Sequence, residues 1–224
     1  MTNGGSAVTA VVTRTGDSIS SAPVAPTRAG YNFVGWFNNA GLTGSVISFP
    51  FAHGQTGDFT LYAKWEAKTL TVSFNSSGGS AVSSITTQTE ASISSAPTPP
   101  TRAGYNFLGW VEDGDSSATV ISFPYTHGKT ADFTLFAKWD ANTLTVNFNS
   151  NSGASVTATT TRTGQSIAAT ITTTRTGYTF AGWFDNEELN GSAITFPYTH
   201  GKTSNFTLYA KWTAITLSVT FDTN

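Results

Sequence analysis

The chain has 224 residues, a net charge of −2 and only 11% charged residues. That balance excludes the concentrated basic face that nucleic acid needs and a polybasic membrane anchor. The absence of cysteine excludes disulfides and cysteine-held metals, and no apolar run approaches the roughly 20 residues that span a bilayer, so membrane insertion is not expected.

Three copies of one pattern run the length of the chain. Trp36, Trp110 and Trp183 are spaced 74 and 73 residues apart, which predicts three units of small-domain size. The first copy opens on Gly4-Gly5-Ser6-Ala7-Val8, which recurs as Gly78-Gly79-Ser80-Ala81-Val82 and, altered, as Gly153-Ala154-Ser155-Val156. Copies two and three have a strand pattern before that point, at 69–74 and 143–148, and copy one has none. A second strand is predicted around 7–15, 81–89 and 155–163. A crossover then follows at 18–23, 92–97 and 166–170. In copies one and two a serine opens it and a proline closes it, room for a helical turn and nothing longer. Arg28-Ala-Gly-Tyr-Asn-Phe-Val-Gly-Trp36 comes next and recurs at 102–110 and 175–183. Gly30 fits a turn that needs positive φ, and Gly35 inside the strand predicts a bulge or the close approach of another backbone. Variable loops at 38–44, 112–118 and 185–191 lead to Phe49-Pro50-Phe51-Ala52-His53 and its equivalents.

Each copy ends on a stretch that also begins the next. Residues 59–75 read F-T-L-Y-A-K-W-E-A-K-T-L-T-V-S-F-N and recur at 133–149 and 206–222. Phe59, Leu61, Ala63 and Trp65 alternate with polar neighbours, and so do Leu70, Val72 and Phe74, predicting two half-buried strands in series with about three residues between them. The units are accordingly bounded as 1–67 (without its first strand), 68–141, 142–214, and 215–224 as the first strand of a further repeat.

The combination of G-G-S-A-V, P-T-R-A-G-Y-x-F-x-G-W and F-T-L-Y-A-K-W resembles the Listeria–Bacteroides repeat, the module type of the internalin B B-repeat, three times over. Copy three departs at Thr173 and Thr176, which stand where copies one and two have proline and alanine. The resemblance implies a mostly β (at most α+β) fold of tandem β-grasp, ubiquitin-like modules in an elongated rod. It also implies a place in a large bacterial surface or extracellular protein, as a fragment of which this chain would act as stalk, spacer or filament subunit. Any signal or wall anchor of such a parent would lie outside this stretch.

Repetition tests for chemistry. No carboxylate recurs in all three copies: Asp58 and Asp132 match Asn205, Glu66 and Asp140 match Thr213, and Glu112 and Asp185 match Asn38. A repeated acid/base pair is thereby removed, and so is the acid that an isopeptide bond at Lys64, Lys138 and Lys211 would need. His53, His127 and His200 recur singly, each before a glycine, and fit a turn better than a metal site, which needs partners at ligand spacing. Arg28, Arg102 and Arg175 fit bonds to turn carbonyls or stacking on a ring. Glu112-Asp113-Gly114-Asp115 is a fragment of a calcium loop without its remaining ligands. No enzyme, catalytic residue, metal or cofactor is expected. Tyr31, Trp36, Tyr62 and Trp65 are the glycan-stacking candidates if the module is instead an adhesin for glycan or a host surface protein.

In the fold that the resemblance implies, first and last strands lie parallel at the centre, and parallel neighbours need a long crossover. Residues 70–74 should therefore pair within copy two. Thr216, Leu217, Val219 and Phe221 then form a strand with no unit of their own. Three accounts stand open. In the first, the chain is a window on a longer one. In the second, the strand completes copy one of another molecule, making other copies the head-to-tail partner. In the third, the module is permuted, its trailing strand closing its own unit by an antiparallel turn.

Overall fold

A computed structural model describes residues 1–115, 117–168 and 170–222. Ser116 in a predicted loop, Ala169 in a predicted crossover, and residues 223 and 224 of the predicted terminal strand segment lie outside the described residues. Among those described, the fold is all-β and holds no helix. Copy one carries β1 (Ser18–Ile19), β2 (Tyr31–Phe37), β3 (Phe51–Ala52) and β4 (Tyr62–Ala67). Copy two carries β5 (Thr69–Asn75), β6 (Ile85–Gln88), β7 (Ser92–Ile93), β8 (Tyr105–Val111), β9 (Tyr125–Thr126) and β10 (Phe133–Ala141). Copy three carries β11 (Thr143–Asn149), β12 (Thr159–Arg162), β13 (Ser166–Ile167), β14 (Tyr178–Phe184), β15 (Tyr198–Thr199) and β16 (Phe206–Ala214).

By compactness the chain divides into two units. One takes Met1–Ser76, Ala81–Pro99 and Trp110–Phe136; the other takes Ser77–Ser80, Pro100–Gly109 and the chain from Ala137 onward. In the second unit, β12-β11-β16-β14 form a four-stranded sheet. β11 runs antiparallel to β12 and parallel to β16, with Val146 opposite Phe206 and Phe148 opposite Leu208. Val146, Ile167, Trp183, Leu208 and Ala210 form the buried centre, with Phe148, Phe180 and Trp212 packed against it. The sheet of copy two has the same order, β6-β5-β10-β8, and β5 is parallel to β10 with Val72 opposite Phe133. The strand after Trp65 thus belongs to copy two, and the permuted account fails: it does not turn back on the copy before it.

The bulge arises where the glycine predicts it. The β2–β4 register shifts between Phe33 and Gly35, and a Cβ on Gly35 would stand 2.3 Å from Val46 Cγ1, so both the bulge and the close approach hold. Two expectations need correction. The crossovers of copies one and two hold no helical turn: Ser18–Ile19 and Ser92–Ile93, like Ser166–Ile167 in copy three, pair antiparallel with the residues just before each histidine. Those partners lie more than thirty residues away, beyond any local pattern. The predicted second strand shrinks to Ile85–Gln88 and Thr159–Arg162, and residues 7–15 form no strand at all, because β6 and β12 exist by pairing with β5 and β11 and copy one has no such partner here.

Candidate functional site

Where one copy passes into the next, the chain makes a recurring clasp. A single residue, Lys68, separates β4 from β5, fewer than the three expected. Its N–H donates to the Gly30 carbonyl at 2.9 Å, its carbonyl accepts from Thr89 N–H at 3.0 Å, and the Thr89 hydroxyl donates to the same Gly30 carbonyl at 2.6 Å. The next junction repeats the backbone pair, Asn142 N–H to Gly104 O at 2.8 Å and Thr163 N–H to Asn142 O at 3.0 Å. Both threonines are buried, Thr89 at 5% and Thr163 at 7% exposed. The glycine holds φ near +76° at Gly30 and +79° at Gly104, and a Cβ there would strike the threonine at 2.6 and 2.7 Å. The turn and the neighbour both require glycine. Beside it, Arg28, Arg102 and Arg175 lie over Tyr31, Tyr105 and Tyr178 at 3.7, 3.8 and 3.9 Å. Arg28 and Arg175 also donate to the carbonyls of Asn3 and Asn151. The Tyr31 hydroxyl donates to Glu90 at 3.0 Å, and this bond holds the phenol above its ordinary pKa.

At the start of the chain lies a groove of about 730 Å3, lined by residues 8–15 on one side and 55–61 on the other, with Trp36 and His53 on its floor. It occupies the place that β5 and β11 fill in the other copies. Two differences accompany the open groove. β4 begins at Tyr62, whereas β10 and β16 begin at Phe133 and Phe206, and Leu61 is half-buried where Leu135 and Leu208 are fully buried. Met1 holds the position of Asn75: its amino group donates to Leu61 O and its carbonyl accepts from Ala63 N–H at 2.9 Å. At the other end, Ile215 N–H donates to the Gly177 carbonyl at 3.0 Å, as Lys68 does to Gly30. After it, Thr216 is exposed, and Leu217, Val219 and Phe221 are 83%, 75% and 86% exposed. Leu70, Val72, Leu144 and Val146, the counterparts of the first two, are 0–3% exposed, and Phe74 and Phe148, the counterparts of Phe221, are half-buried.

The four glycan-stacking candidates occupy the adjacent strands β2 and β4. Trp36 is 6% exposed; Trp65 is half-buried and donates its indole N–H to Thr2 O at 2.8 Å. Phe33 meets both indoles edge-on, at 5.4 and 5.5 Å, so these two converge on one side. Tyr62 is half-buried, and Tyr31 lies under Arg28.

Each histidine is buried before the last strand of its copy. Nδ1 accepts from a backbone N–H two residues on, that of Gln55, Lys129 or Lys202, at 3.0–3.3 Å. Nε2 then carries the proton and meets Thr13, Thr87 or Thr161 at 3.2–3.4 Å. Burial is the main force lowering the pKa of His127 and His200; Lys129 and Lys202 lower it further, while the Gln88 backbone and Glu112 oppose the shift at His127. The unfolded chain therefore binds these protons more readily than the folded one. Stability is complete above the ordinary histidine value of about 6.5 and falls as pH drops below it. Thermal unfolding of the native chain followed between about pH 7.5 and 5.5 should show this decline, and His127→Gln with His200→Gln should flatten it. An unchanged slope in the double variant would contradict the assignment.

Glu112 sits between Tyr125 and Lys129, accepting from both. Lys129, then Tyr125, hold its carboxyl below the usual range. Asp185, Tyr198 and Lys202 repeat the group more loosely in copy three. Such exposed pairs contribute at most about 1 kcal/mol. Among the described residues, no three of His, Cys, Asp and Glu converge to hold a metal, and no helix is long and apolar enough to cross a membrane.

Three copies of one module, joined by two matching clasps, define a repeat protein, and the chain belongs to the Listeria–Bacteroides repeat domain family, which it matches at residues 1–64, 71–138 and 145–211. It is 38% identical over 223 residues to a protein of Evansella cellulosilytica bearing the name "Putative membrane protein", a match covering all of this chain and 32% of the relative. A "Putative Gly-rich membrane protein" of the same organism is 35% identical over 99% of this chain and 25% of its own length. Internalin H of Listeria monocytogenes is 31% identical over 131 residues, 58% of this chain and 23% of the relative. The chain spans about a third or less of the curated relatives it matches.

Proposed function

We propose that this chain is a non-enzymatic structural segment of a larger bacterial surface protein, a stalk or spacer built from repeats that hand over from one to the next. The observation that carries this reading is the clasp: one intervening residue, with the same glycine carbonyl taking up the backbone of the following copy at Gly30 and Gly104. A junction of that length leaves no flexible linker. The relatives named for membranes and the internalin support a surface or membrane-associated location, with the repeats on the extracellular side. We read the complete copies as β-grasp modules, for which the sheet order and the parallel central pair speak even though their crossover carries a two-stranded pair in place of a helix.

The adhesin reading draws on the same aromatics, but Trp36 is buried and Phe33 stands against both Trp36 and Trp65, which favours a role in the core. The native chain has no cysteine, so spin labels on Ala40→Cys and Ser122→Cys, in the first compact unit, read the junction alone. A single narrow distance distribution is expected. A distribution as broad as that of freely jointed modules would sink the spacer reading, and specific retention on a glycan array would replace it with the adhesin.

A further inference from the structure

We propose that the 224-residue chain associates head to tail with a second copy of itself through a contact that repeats its own internal junction. Residues 216–221 of one molecule fill the groove of the next, and Thr15 of that next molecule seats against Gly177 of the first. This rests on the reading of the repeats as a structural array and names the partner at its two unmatched faces.

The occupant follows from what fills the same groove elsewhere. In copies two and three it is a strand carrying Leu, Val and Phe at alternate positions, and Leu217, Val219 and Phe221 repeat that order. The phenylalanine of that strand packs against the tryptophan on the groove floor, Phe74 on Trp110 at 4.8 Å and Phe148 on Trp183 at 5.0 Å. Trp36 waits at the equivalent place in copy one. Transferring the parallel register of Val72 with Phe133 and Val146 with Phe206 sets Val219 opposite Phe59 and Phe221 opposite Leu61. Met1 already holds the following position, so Phe221 is the last donor residue to pair. Strand addition of this kind gains backbone hydrogen bonds and alternate side-chain pockets together.

The second half of the contact is independent of the strand. A Cβ on Gly30 or Gly104 would collide with Thr89 or Thr163, yet one on Gly177 would meet nothing within 4 Å. Tyr178 is 37% exposed, while Tyr31 and Tyr105 are half-buried at their junctions. Thr15, the counterpart of the buried Thr89 and Thr163, is exposed. One molecule therefore presents the glycine without its threonine and the threonine without its glycine. A heterologous contact that joins them leaves the same two faces open on each new end.

Sedimentation equilibrium over a range of concentrations, with hydrogen exchange at residues 59–61, tests this on the 224-residue chain. The native chain should associate with rising concentration while residues 59–61 gain protection. Val219→Asp should leave a folded monomer, because Val219 is exposed in the free molecule. Thr15→Tyr, also at an exposed position, should weaken association by about tenfold or more, the effect of losing roughly one good contact. Monomers at every concentration would overturn the proposal, as would a Val219→Asp chain that assembles normally or a Thr15→Tyr chain of native affinity. Protection of 59–61 in a strict monomer would assign the groove to the molecule's own strand and would also overturn it. None of these failures touches the label distances across the internal junction, on which the spacer reading stands.

Discussion

Trp183→Ala should remove about 3–5 kcal/mol from the third repeat, the usual cost of emptying a buried aromatic site. Trp183 is 1% exposed, donates its indole N–H to Ile171 O at 2.7 Å and touches the rings of Phe148 and Phe180. A unit of roughly 74 residues holds only about 4–11 kcal/mol at the common 0.05–0.15 kcal/mol per residue, so the loss takes a large share of what keeps that repeat folded. Trp110→Ala should behave alike in copy two, where Trp110 is 1% exposed. Trp36→Ala should cost less, about 2–3 kcal/mol, because one side of its site is already an open groove and the surroundings have less packing to lose. Urea unfolding with repeat-resolved hydrogen exchange ranks the three, and equal losses would show that the groove does not weaken the first core.

Gly104→Ala is the second large effect, and Gly177→Ala is its control. At Gly104, φ is +79° and the new Cβ would lie 2.7 Å from the Thr163 side chain and 3.0 Å from Thr203. The left-handed backbone alone costs an alanine about 1–2 kcal/mol, and overpacking adds about 1–3 kcal/mol. Gly177 has nearly the same φ, +78°, with open space around it, so in dilute solution it should show only the first part. Gly104→Ala should in addition speed exchange of the Thr163 amide, which bonds Asn142 O. Similar losses at both glycines would mean that the threonine contact contributes nothing.

The strands that alternate were legible in the residues. F-T-L-Y-A-K-W and T-L-T-V carry the period of two, and Gly35 announces its bulge, because those signals are local. The parallel pairing of β5 with β10 came only through the family resemblance, since no local pattern states which distant strand lies alongside. The clasp was missed. Thr15, Thr89 and Thr163 are three threonines in a threonine-rich chain, and their one signal is recurrence at the same place in every copy, each followed by a residue with positive φ in the cases of Gly16, Glu90 and Gly164. The two-residue strands before the histidines were invisible for the opposite reason: each is too short to show a period and exists only through its partner.

The parallel rungs of copy two decide how a repeat meets a pull along the chain. Tension enters at Thr69, the start of β5, and leaves at Ala141, the end of β10. The two strands run the same way, so the load slides one past the other. Four rungs, Val72 to Asn75 against Phe133 to Phe136, are sheared together and must yield together; a hairpin pulled at its open end parts one rung at a time. The same geometry recurs between β11 and β16. Among the described residues the first copy shows one rung of this kind, Met1 between Leu61 and Ala63.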